Sequence, residues 1–289
     1  MAVLSGRAKL AGVMGWPVSH SRSPRLHGYW LNHYEIDGAY VPLAVAPENL
    51  RAALRVLPAL GFKGVNLTLP HKVAALRIED EFRVLDSVST TANRIGAVNT
   101  IVVTADGRLE GDNTDGFGFF EHLKTSAPQW CAGTRPVAVL GAGGAARAVI
   151  VALLDAGVSK LRLINRSAAH AGELRDAFGP TINVIEWEQR GAALDDVSLL
   201  VNTTSLGMTG QPPLDLGLDR LTGDAVVYDL VYAPLETPLL KLARQRGHHT
   251  VDGLGMLLHQ ARPGFRAWFG LDPVVTPALR AFVAEDLRG

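Results

Sequence analysis

The sequence predicts an α/β protein with two domains, and three observations support this prediction. Strand-like runs alternate with amphipathic helical stretches from one end of the chain to the other. A polar stretch that contains proline and glycine, residues 125–136 (TSAPQWCAGTRP), interrupts this alternation. A second series of strands and helices begins directly after it with PVAVLGAGGAARAVIVALL. With 289 residues, the chain is long enough for two domains that each have a core of their own.

The composition argues against several functional classes. With 47% hydrophobic and 19% charged residues, the chain is expected to be soluble and globular. Its 28 basic residues balance 28 acidic ones, so no overall field favours nucleic acid or an anionic membrane. The single cysteine, Cys131, cannot form an internal disulfide, which suits a reducing cytoplasm. No uncharged apolar run approaches the roughly 20 residues that cross a bilayer. We therefore expect a soluble, cytoplasmic protein, and a local pocket for a small anion stays open.

The first domain is predicted to contain three strands, at residues 8–14, 39–45 and 62–69, with helices between them. The first of these strands overlaps LAGVMGWPV, residues 10–18, which has only a weak basic region before it and no small-residue cleavage pattern after it, so a core strand is favoured over a signal peptide. AVNTIVV, residues 97–103, is a further strand, and the turn residues at 105–108 fold it into a short hairpin. A helix that begins near residue 116 is expected to link this domain to the next.

The third strand, in GVNLTLPHK, carries polar groups on one face. Val65, Leu67 and Leu69 alternate with Asn66 and Thr68, so one face is predicted to be apolar and the other to form hydrogen bonds. A proline ends the strand, and a helix is predicted from HK through VAALRIEDEF. An amide, a hydroxyl and an ammonium group are thereby directed to one place.

The stretch VAVLGAGGAARAVIVALL is typical of a Rossmann-type, doubly wound dinucleotide-binding domain. Gly141 permits the tight turn, Gly143 lets the backbone approach a pyrophosphate, and Ala146 lets the helix pack closely on the sheet. The start of the helix supplies free amide groups for the phosphates. A tight turn between strand and helix without a ligand is the alternative. The backbone positions expected to hold the cofactor are Gly141, Ala142, Gly143, Gly144 and Ala145.

The next strand, KLRLI, ends at Asn165, Arg166 and Ser167. An NAD-binding protein usually has a carboxylate at this place to accept from the ribose 2′-hydroxyl. Arg166 instead offers a planar cation for a 2′-phosphate, and its two neighbours offer neutral hydrogen bonds. NADP is therefore favoured over NAD, with an ordinary surface arginine as the alternative.

The segment VNTTSLGM follows another apolar strand, and loops of this kind line the cofactor crevice. Its expected cofactor contacts are Thr204, Ser205 and Met208, although a generic turn explains the segment equally well.

Lys72 and Asp115 are candidates for the chemistry of hydride transfer. Reduction of a ketone by NADPH develops negative charge on oxygen, which needs a cation or a proton donor. Lys72 could supply the cation, and Asp115, in GDNTDG, could orient it and bind a neighbouring hydroxyl. From the sequence alone, helix capping explains Asp115 equally well, and a solvated lysine explains Lys72 better.

Ser21 and Ser23, in VSHSRSP, place two hydroxyls on one side of an extended chain, where they could hold a carboxylate. A serine-rich turn before a helix begun by Pro24 is the alternative. The histidines show no metal-ligand spacing, so no metal is assigned.

Together these segments resemble the shikimate dehydrogenase family over nearly the whole chain. The motifs that carry the resemblance are, in order, SHSRSP, NLTLPHK, GAVNT, GDNTDG, GAGGAAR, NRS, NTTSLGM, DLVYAPLETPLL and DGLGMLLHQA. The resemblance implies NADPH-dependent reduction of 3-dehydroshikimate to shikimate, with the reaction in a crevice between the two domains. It further implies that the C-terminal helix returns to the first domain. The implied domains are residues 1–116 plus 254–289 for the substrate and 117–253 for NADP.

The resemblance also implies a role for individual residues. Lys72 and Asp115 form the catalytic pair, and Gly253 and Leu230 lie at the cofactor, with Gly253 against the nicotinamide. The residues implied in substrate binding are Ser21, Ser23 and Tyr232 for the carboxylate, and Asn66, Thr68, Asn99 and Gln260 for the ring hydroxyls.

The chain departs from the family pattern at two places. His170 stands where the family often has a second basic residue after Asn-Arg-Ser, which weakens strict NADP selectivity. Arg262, Pro263 and Gly264 interrupt the closing helix, so a kink after Gln260 is expected.

Two rival functions and the oligomeric state stay open. A dehydrogenase that acts on quinate as well is the closest rival, and the two small serines slightly favour shikimate. A nucleotide-sensing regulator without turnover is disfavoured, because it need retain neither Lys72 nor Asp115. The sequence does not reveal the oligomeric state, and a homodimer is among the open arrangements.

Overall fold

The computed structural model describes residues 3–76 and 84–287, except for the side chain of Asp286. The chain forms two compact units. The first comprises Met1–Asp115 and Gln260–Val283, and the second comprises Gly116–His259 and Ala284–Gly289. The sequence assigned all of 254–289 to the first domain. In the division into compact units, residues 254–259 and 284–287 fall in the second unit, and the assignment of 254–289 to the substrate domain stays a prediction.

The first unit contains a six-stranded mixed sheet in the order β2-β1-β3-β5-β6-β4. β1 pairs in parallel with β2 and β3, whereas β5 is antiparallel to β3 and β6. The predicted strands and hairpin of this region are confirmed to within a few residues. The strands are β1 (Lys9–Gly15), β2 (Gly38–Ala44), β3 (Phe62–Leu67), β4 (Ser87–Val88), β5 (Thr100–Val103) and β6 (Leu109–Asp112).

The second unit contains a six-stranded parallel sheet in the order β12-β11-β10-β7-β8-β9. The chain order reverses between β7 and β10, which is the topological switch point of a doubly wound fold. The predicted Rossmann-type domain is therefore confirmed. Its strands are β7 (Val137–Leu140), β8 (Leu161–Asn165), β9 (Ile182–Glu186), β10 (Leu199–Asn202), β11 (Val226–Asp229) and β12 (His249–Val251).

Ten α-helices lie in the part of the chain that is described. They are α1 (Ser23–His33), α2 (Leu50–Val56), α3 (His71–Ala74), α4 (Thr90–Ile95), α5 (Asp115–Ser126), α6 (Gly144–Asp155), α7 (Ala168–Phe178), α8 (Pro238–Gln245), α9 (Leu254–Phe269) and α10 (Pro277–Ala284). The helix predicted from HK to residue 82 begins as α3, and residues 77–83 of it lie outside the described part. Pro263 lies inside α9 without ending it, and the predicted kink stays a prediction.

Two details of the first sheet differ from the sequence prediction. Leu69 was expected on the apolar face of the third strand, but β3 ends at Leu67 and Leu69 is 73% exposed. The strand predicted from Ala97 begins at Thr100 instead. The backbone amides of Ala97 and Val98 donate to Ala92 and Lys72, so these residues are engaged outside the sheet.

Each unit has its own hydrophobic core. In the second unit, two clusters cover the sheet, one around Val139 and α6 and the other around Leu140 and α8. In the first unit, a cluster around Val65 and Ile101 fills the space between the sheet, α2 and α4. Burial of these aliphatic side chains is the main driving force that holds the strands of each unit together. Among the described residues, no helix has the length and apolar character that a membrane span requires.

Candidate active site

Lys72 and Asp115 form an ion pair within the first unit. Lys72 lies in α3, directly after the segment that follows β3, and Asp115 is the first residue of α5. Lys72 Nζ lies 2.6 Å from Asp115 Oδ2, and the two side chains are only 28% and 11% exposed. The pair joins residues 43 positions apart in sequence. The pair thus places the side-chain nitrogen of Lys72 directly against one carboxylate oxygen of Asp115.

The hydrogen bonds at the start of α5 argue against the capping interpretation of Asp115. Asn113 Oδ1 accepts from the backbone amide of Asp115 at 3.0 Å, and Asn113 Nδ2 donates to Ala97 O. The carboxylate of Asp115 instead accepts from Lys72 and from Asn99 Nδ2, the latter at 2.8 Å. Asn113 therefore organises the helix start and leaves the carboxylate of Asp115 for polar side chains.

Asn99 is the centre of a buried polar network. Its Nδ2 lies within hydrogen-bond distance of Asp115 Oδ1, Thr114 Oγ1 and Gln260 Oε1, at 2.8, 3.1 and 3.4 Å. Its Oδ1 accepts from the amide of Thr114 and from Thr100 Oγ1, both at 2.9 Å. Asn99 is only 1% exposed. An amide engaged at both ends holds Asp115 in a fixed orientation.

Asn66 is also engaged by the protein. Its Nδ2 donates to Asn99 O at 3.0 Å and to Thr100 Oγ1 at 3.1 Å, so both amide hydrogens are used. Its Oδ1 accepts from Tyr40 Oη at 2.6 Å. One lone pair of Oδ1 is therefore what Asn66 can offer to a ligand.

Tyr40 is a further member of this network, and the sequence pattern did not single it out. It lies on β2, is 7% exposed and stacks on His27 with 3.9 Å between ring centroids. Burial raises the pKa of Tyr40 well above its ordinary value, so its hydroxyl keeps its proton. The same hydroxyl also hydrogen-bonds Ser23. A buried tyrosine needs a hydrogen-bond partner for its hydroxyl. This need is the signal that could have indicated a polar partner for Tyr40.

Ser21 and Ser23 lie at the start of α1. The backbone amide of Ser23 donates to Ser21 Oγ at 3.4 Å, and Ser23 is 8% exposed. Thr68 follows β3 and is half-buried. The first unit thus holds Ser21, Ser23, Asn66, Thr68, Lys72, Asn99, Asp115 and Gln260, whereas Tyr232 belongs to the second unit.

The second unit has a cavity of about 280 Å³ at the glycine-rich turn. Gly141 has φ +102, and a Cβ there would lie 2.6 Å from Thr203 Oγ1, so only glycine suits this turn. A Cβ at Gly143 or Gly144 would meet no atom within 4 Å, which leaves space for a ligand beside the first turn of α6. The cavity is lined by Gly141, Ala142, Gly143, Asn165, Arg166, Trp187, Thr203, Thr204, Ser205 and Leu206.

This lining includes only part of the predicted cofactor residues. The sequence did not single out Trp187, Thr203 or Leu206. Ser167 is the N-cap of α7, where its Oγ accepts from the amide of His170, and its hydroxyl hydrogen is left for another acceptor. The predicted residues that do not line this cavity are Gly144, Ala145, Ser167, Met208, Leu230 and Gly253.

Asp229 organises the loop that contains Thr204 and Ser205. It is fully buried at the end of β11 and accepts from Asn202 Nδ2 at 2.9 Å, Val231 N at 3.1 Å and Thr237 Oγ1 at 2.7 Å. Asn202 Oδ1 in turn accepts from the amide and the hydroxyl of Thr204. Burial raises the pKa of Asp229 from 3.8 to about 6.

We expect Asp229→Asn to change the pH dependence of stability. Because the pKa of Asp229 is higher in the folded state than the unfolded value of 3.8, the protonated carboxyl stabilises the folded state. This stabilisation is complete below pH 3.8 and is lost as the pH rises through about 6. Asparagine keeps the shape without that titration. Relative to the wild-type protein, the variant should therefore gain about 2 kcal/mol of unfolding free energy between about pH 4 and about pH 7.5, measured by urea unfolding. The exposed Asp224→Asn is the control: the hydrogen bond from Arg135 lowers the pKa of Asp224 below 3.8, so its titration lies below this pH range and its variant should show no pH-dependent change relative to the wild-type protein. If the difference in unfolding free energy between Asp229→Asn and the wild-type protein is the same at both pH values, the prediction is wrong.

Gly253 lies against the backbone of Leu230. A Cβ at Gly253 would lie 2.0 Å from the carbonyl oxygen of Leu230, so no other residue fits without a backbone shift. We expect Gly253→Ala to destabilise the protein by roughly 1–3 kcal/mol. Thermal unfolding measures this effect. Gly172→Ala, in α7 with open space around the added methyl, should be neutral or stabilising. Equal behaviour of the two variants would refute the steric argument.

Comparison with known proteins gives consistent matches. Residues 13–101 match the family model described as shikimate dehydrogenase substrate binding domain, and residues 126–208 match the model described as shikimate/quinate 5-dehydrogenase. The shikimate dehydrogenase (NADP(+)) of Rhodospirillum rubrum is 59% identical over 285 residues, which are 97% of this chain and 99% of that protein.

Two solved structures are similar over nearly the whole chain. One is shikimate 5-dehydrogenase from Thermus thermophilus in complex with NADP(H) and shikimate, with 36% identity, a TM-score of 0.82 and coverage of 96% of this chain and 99% of that one. The other is quinate dehydrogenase from Corynebacterium glutamicum in complex with NAD, with 32% identity, a TM-score of 0.87 and the same coverage.

Proposed function

Because the chain belongs to the shikimate dehydrogenase family, we propose that it reduces 3-dehydroshikimate reversibly to shikimate with NADPH, and that Lys72 and Asp115 form its catalytic pair. This reaction is a step of the pathway toward chorismate and the aromatic amino acids. The single observation that carries the assignment of residues is the 2.6 Å ion pair, held in a buried network of amides and hydroxyls.

NADPH, when bound, supplies the hydride to the ketone carbon of the substrate. Lys72 stabilises the negative charge that develops on the ketone oxygen, because an ammonium group in a partly buried site is weakly screened. The same ammonium group is the acid of the pair, and its proton completes the alcohol. Asp115 keeps Lys72 in place and accepts from a ring hydroxyl of the substrate. Asn99 fixes the orientation of Asp115 through the bond at 2.8 Å.

The first unit is the proposed substrate domain. Ser21 and Ser23 donate to the substrate carboxylate, with help from the Tyr232 hydroxyl. Thr68 and Gln260 bind ring hydroxyls. Asn66 and Asn99 also bind ring hydroxyls, and their amide hydrogens, which have acceptors in the protein, hold the neighbouring groups in position.

The second unit is the proposed NADP domain. The open space at Gly143 and Gly144, together with the amides of the first turn of α6, fits a pyrophosphate. Asn165, Arg166 and Ser167 form the loop that binds the 2′-phosphate. Gly253, Leu230 and Met208 are assigned to the nicotinamide half.

The cytoplasm is the proposed compartment, since a reducing environment suits a chain with one cysteine. A homodimer is the proposed assembly, which light scattering would test.

The test of the function is an absorbance assay at the band of reduced nicotinamide. Shikimate and quinate are each offered with NADP and with NAD. We expect the highest kcat/KM for shikimate with NADP. Faster turnover of quinate would assign the chain to quinate oxidation, which the likeness to the Corynebacterium glutamicum enzyme makes the relevant rival. Absence of turnover with all four pairs would favour a nucleotide sensor.

A further inference from the structure

Trp187 is the aromatic side chain among the residues that line the cavity at the glycine-rich turn. It follows β9 directly, in a short 3₁₀ helix over Trp187–Gln189, and it is half-buried. The same cavity is lined by Arg166, which follows β8, and by Thr204. The indole therefore belongs to the wall that the ends of the strands build around a dinucleotide.

Arg190 holds Trp187 in place. Its guanidinium carbon lies 5.1 Å from the centroid of the indole, and its Nη1 donates to Trp187 O at 3.0 Å. Arg190 is itself fixed by Asp215, to which its Nε and Nη2 donate at 2.8 and 2.9 Å. A cation over one face of an indole restrains the ring and leaves the opposite face for a second planar group. These contacts restrain the position of the tryptophan within the chain itself.

We propose that Trp187 is the platform on which the adenine of NADP stacks. The inference rests on the NADP domain assigned under the proposed function. An indole binds a neutral planar base through its π-face and carries no charge to attract a phosphate. Arg166, on the same cavity, is the group suited to the phosphate. In this cavity Trp187 therefore binds the adenine base and Arg166 binds the 2′-phosphate.

This division explains how the chain manages without the second basic residue. His170, where the family often has one, is exposed at the start of α7. A cation there would contribute to the affinity for NADP through the phosphate. Trp187 supplies affinity through the adenine instead, and adenine is common to NADP and NAD. Trp187 therefore raises affinity for both dinucleotides, whereas Arg166 provides the selectivity.

The experiment compares Trp187→Ala, Trp187→Phe and the control Trp130→Phe in the full chain. Isothermal titration calorimetry measures the Kd values of NADP, NAD and 2′,5′-ADP. For Trp187→Ala we expect all three Kd values to rise by a similar factor, roughly 5- to 50-fold. Trp187→Phe, which keeps a ring, should lose less. The KM for shikimate should not change at saturating NADP. Trp130 lies outside this cavity, and its variant should bind like the wild-type protein.

A second readout separates stacking from a structural role. NADP should quench part of the tryptophan fluorescence of the wild-type protein, and this part should be missing in Trp187→Phe. A rise of less than threefold in the Kd values of both dinucleotides for Trp187→Ala would overturn the proposal. A rise confined to NADP, or undiminished quenching in Trp187→Phe, would also overturn it. These are binding measurements, so they decide the role of Trp187 even if no substrate is turned over.

Discussion

Lys72→Ala is expected to lower kcat by about 10²–10⁴-fold while the protein remains folded and binds NADP normally. The ammonium group is the cation that the structure places against Asp115, at 2.6 Å. Its removal leaves the developing charge on the substrate oxygen without a partner. NADP binding should be unaffected because the glycine-rich turn and the residues after β8 belong to the second unit. Steady-state kinetics and calorimetry with NADP measure the two quantities.

The control is Lys63→Ala, an exposed lysine on the same strand that precedes the site. It should retain wild-type turnover. Asp115→Asn should also lower kcat, and the double variant with Lys72→Ala should be little worse than Lys72→Ala alone, because the two residues act as a unit. Near-normal turnover of a folded Lys72→Ala variant would remove the catalytic assignment.

Arg166→Ala is expected to raise the KM for NADP by roughly 10- to 100-fold and to leave the KM for NAD nearly unchanged. A hydrogen bond to a charged group contributes about 1.5–3 kcal/mol, and Arg166 is the cation that lines the cavity beside Asn165. NAD has no 2′-phosphate, so the loss of Arg166 removes no interaction with it. The measurement is the ratio of kcat/KM values for the two dinucleotides with shikimate.

The matched control is Arg175→Ala. Arg175 lies on α7 and forms an exposed ion pair with Asp176, with Nη2 2.8 Å from Oδ1. Exposed ion pairs contribute little, so this variant should keep both the stability and the cofactor preference of the wild-type protein. Equal changes for NADP and NAD in Arg166→Ala would show that the arginine does not recognise the phosphate.

The sequence predicts best what short segments determine by themselves. The glycine-rich turn is an example, because the strand, the glycine with positive φ and the helix start all lie within a few residues. The alternation in β3 is another, since Val65 and Leu67 are both in the core. The predicted burial of Leu69 was wrong for a local reason. The strand ends before this residue, so the alternation no longer determines its burial.

Contacts between distant segments could not be predicted from the sequence. Tyr40 meets Asn66 because β1 lies between β2 and β3, and an isolated sequence does not reveal this strand order. Trp187 reaches the cavity for a similar reason, since β9 pairs with β8 in the sheet. The Lys72–Asp115 pair was foreseen only through the resemblance to a family. The residue types alone left a solvated lysine and a helix cap as sound explanations.

The assignment of the charged pair to one unit has a consequence for protein engineering. The bonds that hold Lys72, Asp115 and Asn99 come from residues of the first unit, and Arg166 and Trp187 belong to the second. Coenzyme preference can therefore be altered by a library confined to residues of the second unit that line the cavity, away from Lys72, Asp115 and Asn99. Natural variants could likewise exchange one electron carrier for the other without any change in the groups that perform the chemistry.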